Sequence, residues 1–307
     1  MNRRVRVFHV DAFTERLFAG NPAGVVLDAE LLDDGEMQSI GRELGGIDTA
    51  FVLPPDAGDH DLRARFFTPR GETGFVGHAT IAVQAVLAAL QLRPGARQKQ
   101  RSGSVEVGRL DGTAAAPYYF TQPPPAVQGP LAADVLLSVL GALGLESESL
   151  DPAYPAVLAG ERGSRALLAV RDGALLAQLR PDLVRLAALS AAGGPGGFFL
   201  YTRSPALAGC DTEARMFCPA LGIAEDPVSG NAHAMLAAHL HALGRMPAHA
   251  GGMALTGCQG HHLGRPGTVL ARLELEGQVL RRVQIAGSAR IVFATTIELA
   301  TARAGPR

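Results

Sequence analysis

A chain of 307 residues with 47% hydrophobic content is long enough for two ordinary domains, each with its own core. The formal net charge is −1 and no block of like charge occurs, which excludes both a nucleic-acid footprint and an anionic-membrane anchor. Lys and Arg together number 28, but Lys99, in the polar run R-Q-K-Q-R expected to be a solvated loop, is the one lysine; this speaks against a pyridoxal phosphate Schiff base and against a Walker A loop.

The first residues, MNRRVRVFHVDAF, alternate and reach Asp11 before any continuous apolar run, so they lack the apolar region of a signal peptide. The longest apolar segment, Ala79–Leu92, is interrupted by Gln84 and falls short of the roughly 20 residues that span a bilayer. The expectation is a soluble, cytoplasmic protein that does not engage membranes. Strand-like alternation continues through AGVVLDA. Asp33–Leu44 follows as an amphipathic helix with Asp33 and Glu36 in capping-box spacing, stopped at Gly45. The stretch D-T-A-F-V then places Asp48 at the mouth of a strand entering the core, and LRARFF reads as the next strand.

A near-apolar helix starting at Gly77-His78-Ala79-Thr80 comes next; a helix apolar on every side must be enclosed. GSVEVGRL and PYYFTQ are strands, and the Pro-rich stretch Pro117–Pro130 marks a crossing between lobes. Beyond it lie a helix near Leu131–Leu143, the strands RALLAV and GFFLYT, and a loop at Gly193–Gly197. A second near-apolar helix starts at Gly230-Asn231-Ala232-His233, followed by the strands GTVLARLEL, RRVQIAG and RIVFATTIEL. The tail after Ala300 is expected to fray. Cys210, Cys218 and Cys258 are an odd number without C-x-x-C spacing, which argues against a disulfide framework and a zinc site. No H-E-x-x-H accompanies the histidines, so no metal is expected.

The chain repeats itself. RFFTPRGETGFVGHATIAVQAVLAAL at 65–90 and RMFCPALGIAEDPVSGNAHAMLAAHL at 215–240 share R-x-F-x-P, a Gly-containing loop and G-[HN]-A opening a helix, with three extra residues in the second loop around Asp226. The expected fold is α+β: two pseudo-symmetric lobes, each a curved sheet or barrel around a central apolar helix. The lobes are drawn at 1–122 and 123–288, with a strand at about 289–299 returning to the first.

Packed about a pseudo-two-fold axis, such lobes would bring both helix starts to one cleft. Unpaired N–H groups there, with the helix dipole behind them, suit a carboxylate. This makes Gly77, Ala79, Thr80, Gly230, Asn231 and Ala232 candidate substrate-binding residues. Asp226, pushed into an extended loop by Pro227, and His78 are candidate polar groups beside them, as much caps and structural residues as catalysts. Ser229 and His233 lie i, i+4, but the strand–G-x-S-x-G–helix elbow of a hydrolase is absent.

HVDAFTERLFAGNPAG, FTPRGETGFVGHAT, LRPDL at 179–183, GIAEDPVSGNAH and QGHHLGRPG run in order over residues 9–267. On these motifs the chain resembles the phenazine-biosynthesis PhzF-like family of isomerases, related in fold to diaminopimelate epimerase. The resemblance implies a biosynthetic isomerase working without a cofactor on a small-molecule carboxylate, usually as a homodimer. Family members carry S-E-T-A-F with Glu as the acid/base; here I-D-T-A-F puts Asp48 in that place, with His78 and Asp226 at the other catalytic positions. Asn231 stands where phenazine enzymes tend to have Ser. Neither helix start offers a thiol, which excludes two-cysteine racemisation. The alternatives are an epimerase or racemase without catalytic cysteines, and a non-catalytic ligand-binding protein on the same fold.

Overall fold

Period-two alternation in the β-branched and aromatic segments produces strands, and the two apolar runs produce helices that those strands surround. The computed structural model describes residues 3–92, 96–113, 116–161, 164–249 and 252–299; the tail expected to fray lies outside them. Their strands are β1 (Arg3–Ala12), β2 (Asn21–Leu27), β3 (Thr49–Leu53), β4 (Leu62–Thr68), β5 (Gly71–Thr73), β6 (Arg97–Gln100), β7 (Gly103–Arg109), β8 (Tyr118–Gln122), β9 (Val127–Pro130) and β10 (Val157–Ala159). The series continues with β11 (Arg165–Ala169), β12 (Phe198–Thr202), β13 (Thr212–Cys218), β14 (Ile223–Asp226), β15 (Ala248–His249), β16 (Gly252–Gln259), β17 (Gly267–Glu276), β18 (Val279–Gly287) and β19 (Ala289–Leu299). The α-helices are α1 (Asp34–Glu43), α2 (Gly77–Ala89), α3 (Ala133–Leu143), α4 (Gly173–Gln178), α5 (Leu183–Ala191) and α6 (Gly230–Ala242).

The described residues divide into a first unit of 3–18, 22–120 and 287–299 and a second of 19–21 and 121–286. In the first, the sheet runs β19-β1-β2-β3-β4-β6-β7-β8, with β2/β3 and β4/β6 parallel and β5 hairpinned onto β4. In the second it runs β9-β10-β11-β12-β13-β16-β17-β18, with β11/β12 and β13/β16 parallel and β14 hairpinned onto β13. The internal repeat of the sequence is thus a repeat of strand order, including the positions of the parallel neighbours.

Each unit wraps its sheet around one helix. Ala79 through Leu87 of α2 are buried without interruption, against Val10, Val25, Ala50, Ala64 and Phe66 of the strands. Ala232 through Leu240 of α6 are buried likewise. Peripheral helices cover the outer faces: Met37 and Ile40 of α1 pack on Val5, Val26, Phe51 and Phe67, and α3 and α5 lie with Leu168, Phe198 and Phe217. The capping box of α1 is present, with the Asp33 side chain accepting from the Glu36 N–H and the Glu36 carboxylate accepting from the Asp33 N–H.

The repeated arginine has a structural role in both units. Arg65 grips Glu72 across β4 and β5 with two bonds of 2.8 and 2.9 Å, and Arg215 grips Glu225 across β13 and β14 with two of 2.8 Å. Each guanidinium also lies over the Phe two residues on, 5.2 Å from Phe67 and 5.1 Å from Phe217. These bidentate clasps hold the hairpins that lead into α2 and α6.

Two expectations are corrected. Cys210 and Cys258 form a disulfide, with Cα atoms 5.8 Å apart, and Cys218 is the free, buried third cysteine. Parallel pairing of β13 with β16 brings residues 48 apart side by side, and Asp211 bonds Thr256 through both backbone and carboxylate at 2.8 Å. Lys99 sits on strand β6 rather than in a loop, paired with Asp56 at 3.0 Å at the surface. No described helix is long and apolar enough to cross a membrane.

Candidate active site

Asp48 owes its position to an abrupt change of direction. Helix α1 ends at Leu44, and Gly45 and Gly46 take φ of 81° and 75°, a left-handed region where a side chain would be strained. The chain then enters β3, where the Asp48 carbonyl accepts from the Gly24 N–H at 3.0 Å. This leaves the carboxylate at the end of the strand, 21% exposed, with its Oδ2 3.8 Å from Nε2 of His78. Burial removes water from the ionised form and pushes the Asp48 carboxyl from its ordinary 3.8 to about 6.

His78 belongs to the first turn of α2 and is 14% exposed. The residue preceding that turn is Val76, and no side chain caps the helix. The first N–H groups therefore carry the partial positive charge of an uncapped start. Gly77 has a packing reason to be glycine: a Cβ there would lie 3.0 Å from the Phe120 ring. Ala79 and Thr80 are fully buried, and the Thr80 hydroxyl donates to the Val76 carbonyl at 2.9 Å. Within the first unit, then, the structure brings Asp48 together with His78 and the α2 start, while the side chains of Ala79 and Thr80 serve the core.

In the second unit Asp226 ends β14, held there by the clasp on its neighbour Glu225. Asn21 donates from Nδ2 to Asp226 Oδ1 at 2.7 Å and to the Val228 carbonyl at 2.8 Å. Gln259 donates to the Asp226 carbonyl at 2.7 Å and accepts from the Ser229 N–H at 3.1 Å. Gly230, Asn231 and Ala232 open α6, but this start is capped, since the Ser229 hydroxyl accepts from the Ala232 N–H at 3.3 Å.

His233 is a core residue. It is wholly buried, packs edge-on against Phe199 and meets the Ser229 carbonyl rather than its hydroxyl; burial pushes its ring down to about 4. Among the described residues no group of three or more His, Cys, Asp and Glu is arranged to hold a metal ion. Sequence reasoning missed Asn21, Gln259 and Arg265 as partners of this region. Their signal was present in G-N-P-A and Q-G-x-x-x-G-R-P-G, whose residue types are hydrogen-bonding groups with no local use.

A mostly buried carboxyl raised to about 6, beside an imidazole and an uncapped helix start, is suited to proton transfer. Comparison with known proteins gives the class. The model of the phenazine biosynthesis-like protein family matches residues 10–295, and the chain belongs to that family. It is 34% identical to the uncharacterized isomerase YddE of Escherichia coli K12 over 94% of this chain and 96% of that one. It is 30% identical to the trans-2,3-dihydro-3-hydroxyanthranilate isomerase of Pseudomonas aeruginosa over 91% and 94%. Among solved structures it superimposes on a PhzF-family phenazine biosynthesis protein of Bacillus anthracis with a TM-score of 0.80, at 26% identity over 96% and 99%. A hydroxyproline epimerase from Agrobacterium vitis shares the fold, with a TM-score of 0.60 at 16% identity over 98% and 95%.

Proposed function

We propose that this chain is an isomerase that moves a proton between carbons of a small carboxylate-bearing substrate, with Asp48 as the acid/base and no cofactor. The observation that carries the reading is the placement of Asp48: mostly buried, its carboxyl raised to about 6, and 3.8 Å from His78. A general base works best when its pKa lies near the working pH. Ionised Asp48 takes a proton from a carbon next to an electron-withdrawing group, the electron pair shifts into a conjugated system, and the protonated carboxyl, after exchange with solvent, delivers a proton to a different carbon. His78 orients the substrate or passes the proton on. The N–H groups at the α2 start stabilise the anionic substrate and the charge that develops on it. Asp226 is proposed, like His78, to orient the substrate or relay protons, with Gly230, Asn231 and Ala232 as substrate-binding residues. The dihydro-hydroxyanthranilate named for the Pseudomonas relative is the first compound to try, and a homodimer is part of the same reading.

Enzyme dialysed exhaustively against a chelator and given trans-2,3-dihydro-3-hydroxyanthranilate should convert it, followed by NMR. No conversion by folded protein would refute this substrate. Activity lost on chelation and restored by one metal would refute cofactor independence.

A further inference from the structure

Two sequence motifs have no part in the chemistry above, and the structure sets both against Asp226. Arg265, from G-R-P-G, donates from Nε to the Gly20 carbonyl and from Nη2 to the Ala19 carbonyl, each at 3.0 Å. The Gly20 N–H returns a bond of 3.0 Å to the Pro266 carbonyl. The segment so pinned leads directly into Asn21, whose side chain is buried, at 5% residue exposure. From there one amide nitrogen spends both hydrogens, on the Asp226 carboxylate and on the Val228 carbonyl. Gln259, from the same motif as Arg265, clasps the Asp226 carbonyl and the Ser229 N–H.

Residues 226–229 are therefore held by groups far away in the chain, 205 positions in the case of Asn21 and Asp226. Pro227 offers no N–H for a local turn bond, so this external support replaces one. An amide nitrogen can only donate, so its bond holds Oδ1 of the carboxylate against Asn21.

We propose that Asn21, locked in place by Arg265, is the positioning residue for Asp226. The proposal rests on the reading of Asp226 as a site residue. It makes G-N-P-A and G-R-P-G two halves of one device, the second motif holding the first against the acid.

A charge-swap cycle tests it. Asn21→Asp keeps the shape but sets two carboxylates within hydrogen-bond distance, where both cannot stay ionised cheaply; its Tm at pH 7 should fall by about 5 °C. Adding Asp226→Asn restores that donor–acceptor pair with its direction reversed, though not the bond to the Val228 carbonyl, and should recover part of that loss. Turnover of trans-2,3-dihydro-3-hydroxyanthranilate should separate position from stability. Asn21→Ser, the milder variant, should lose about 10-fold or more in kcat with KM within about 3-fold. The stable double variant should stay inactive, because its carboxylate is on the wrong residue. A double variant no more stable than Asn21→Asp, or Asn21→Ser with wild-type kcat, would overturn the proposal. If the wild type does not turn over this compound, the substrate reading falls, and the coupling in Tm alone decides the claim about Asn21.

Discussion

Replacing Asp48 by Asn should make the protein more stable and less active, and the size of the first effect follows from its burial. The side chain is 21% exposed, and its carboxyl is raised from 3.8 to about 6 by loss of water. At about 1.36 kcal/mol per pKa unit, holding the ionised form costs the folded state at most about 3 kcal/mol. The sign is set by the raised value. Below pH 3.8 the carboxyl is protonated in both states and Asp48 carries no penalty. Between 3.8 and about 6 the folded state retains a proton that the unfolded chain has released, and wild-type stability falls progressively relative to the variant. Above that window the gap is constant. Asp48→Asn keeps the size and carries no charge, so urea unfolding at pH 4 and pH 8 should show near-equal stabilities at the first pH and a variant about 2–3 kcal/mol more stable at the second. A pH-independent gap, or a variant less stable at pH 8, would refute the claim that the carboxylate is held against its solvation.

The same carboxyl predicts a wild-type kcat/KM that rises with pH through about 6, as the base ionises in the free enzyme; a profile flat from pH 5 to 8 would argue against Asp48. Denatured, unreduced protein should expose one reactive thiol, Cys218, and three after reduction. Cys258→Ser should cost about 2–4 kcal/mol for opening a loop of 48 residues, and three thiols without reduction would contradict the pairing. The two arginine clasps should differ. In the Arg215–Glu225 pair the side chains are 8% and 11% exposed, so Arg215→Met strands a buried charge and should cost about 3–5 kcal/mol. Arg65 and Glu72 are 29% and 22% exposed, and Arg65→Met should cost about 1 kcal/mol, both read from thermal unfolding.

Local order was legible in the residues. The capping box of Asp33 and Glu36, the alternation in β1 and β19, the apolar run of β12, and the near-apolar α2 and α6 depend on near neighbours, and the R-x-F-x-P repeat announced that one strand order is used twice. The family motifs led to Asp48 and His78. What stayed hidden depends on topology. Cys210 meets Cys258 because β13 and β16 run parallel, and a spacing of 48 has no pattern of its own. Asn21 reaches Asp226 across most of the chain, so its side chain reads as a turn residue until the fold supplies the acceptor. Thr80 and His233 illustrate the converse: polar residues at a helix start, whose side chains turn into the core and satisfy the helix's own carbonyls.

The central claim is that Asp48 moves a proton at carbon. Incubation of the chelator-treated enzyme with trans-2,3-dihydro-3-hydroxyanthranilate in D2O tests it most directly, with deuterium at each carbon read by NMR for the wild type and for Asp48→Asn. The account predicts deuterium at the newly protonated carbon with the wild type, and incorporation slowed by 10²–10⁴-fold with the variant. Equal incorporation by a folded Asp48→Asn protein would contradict it.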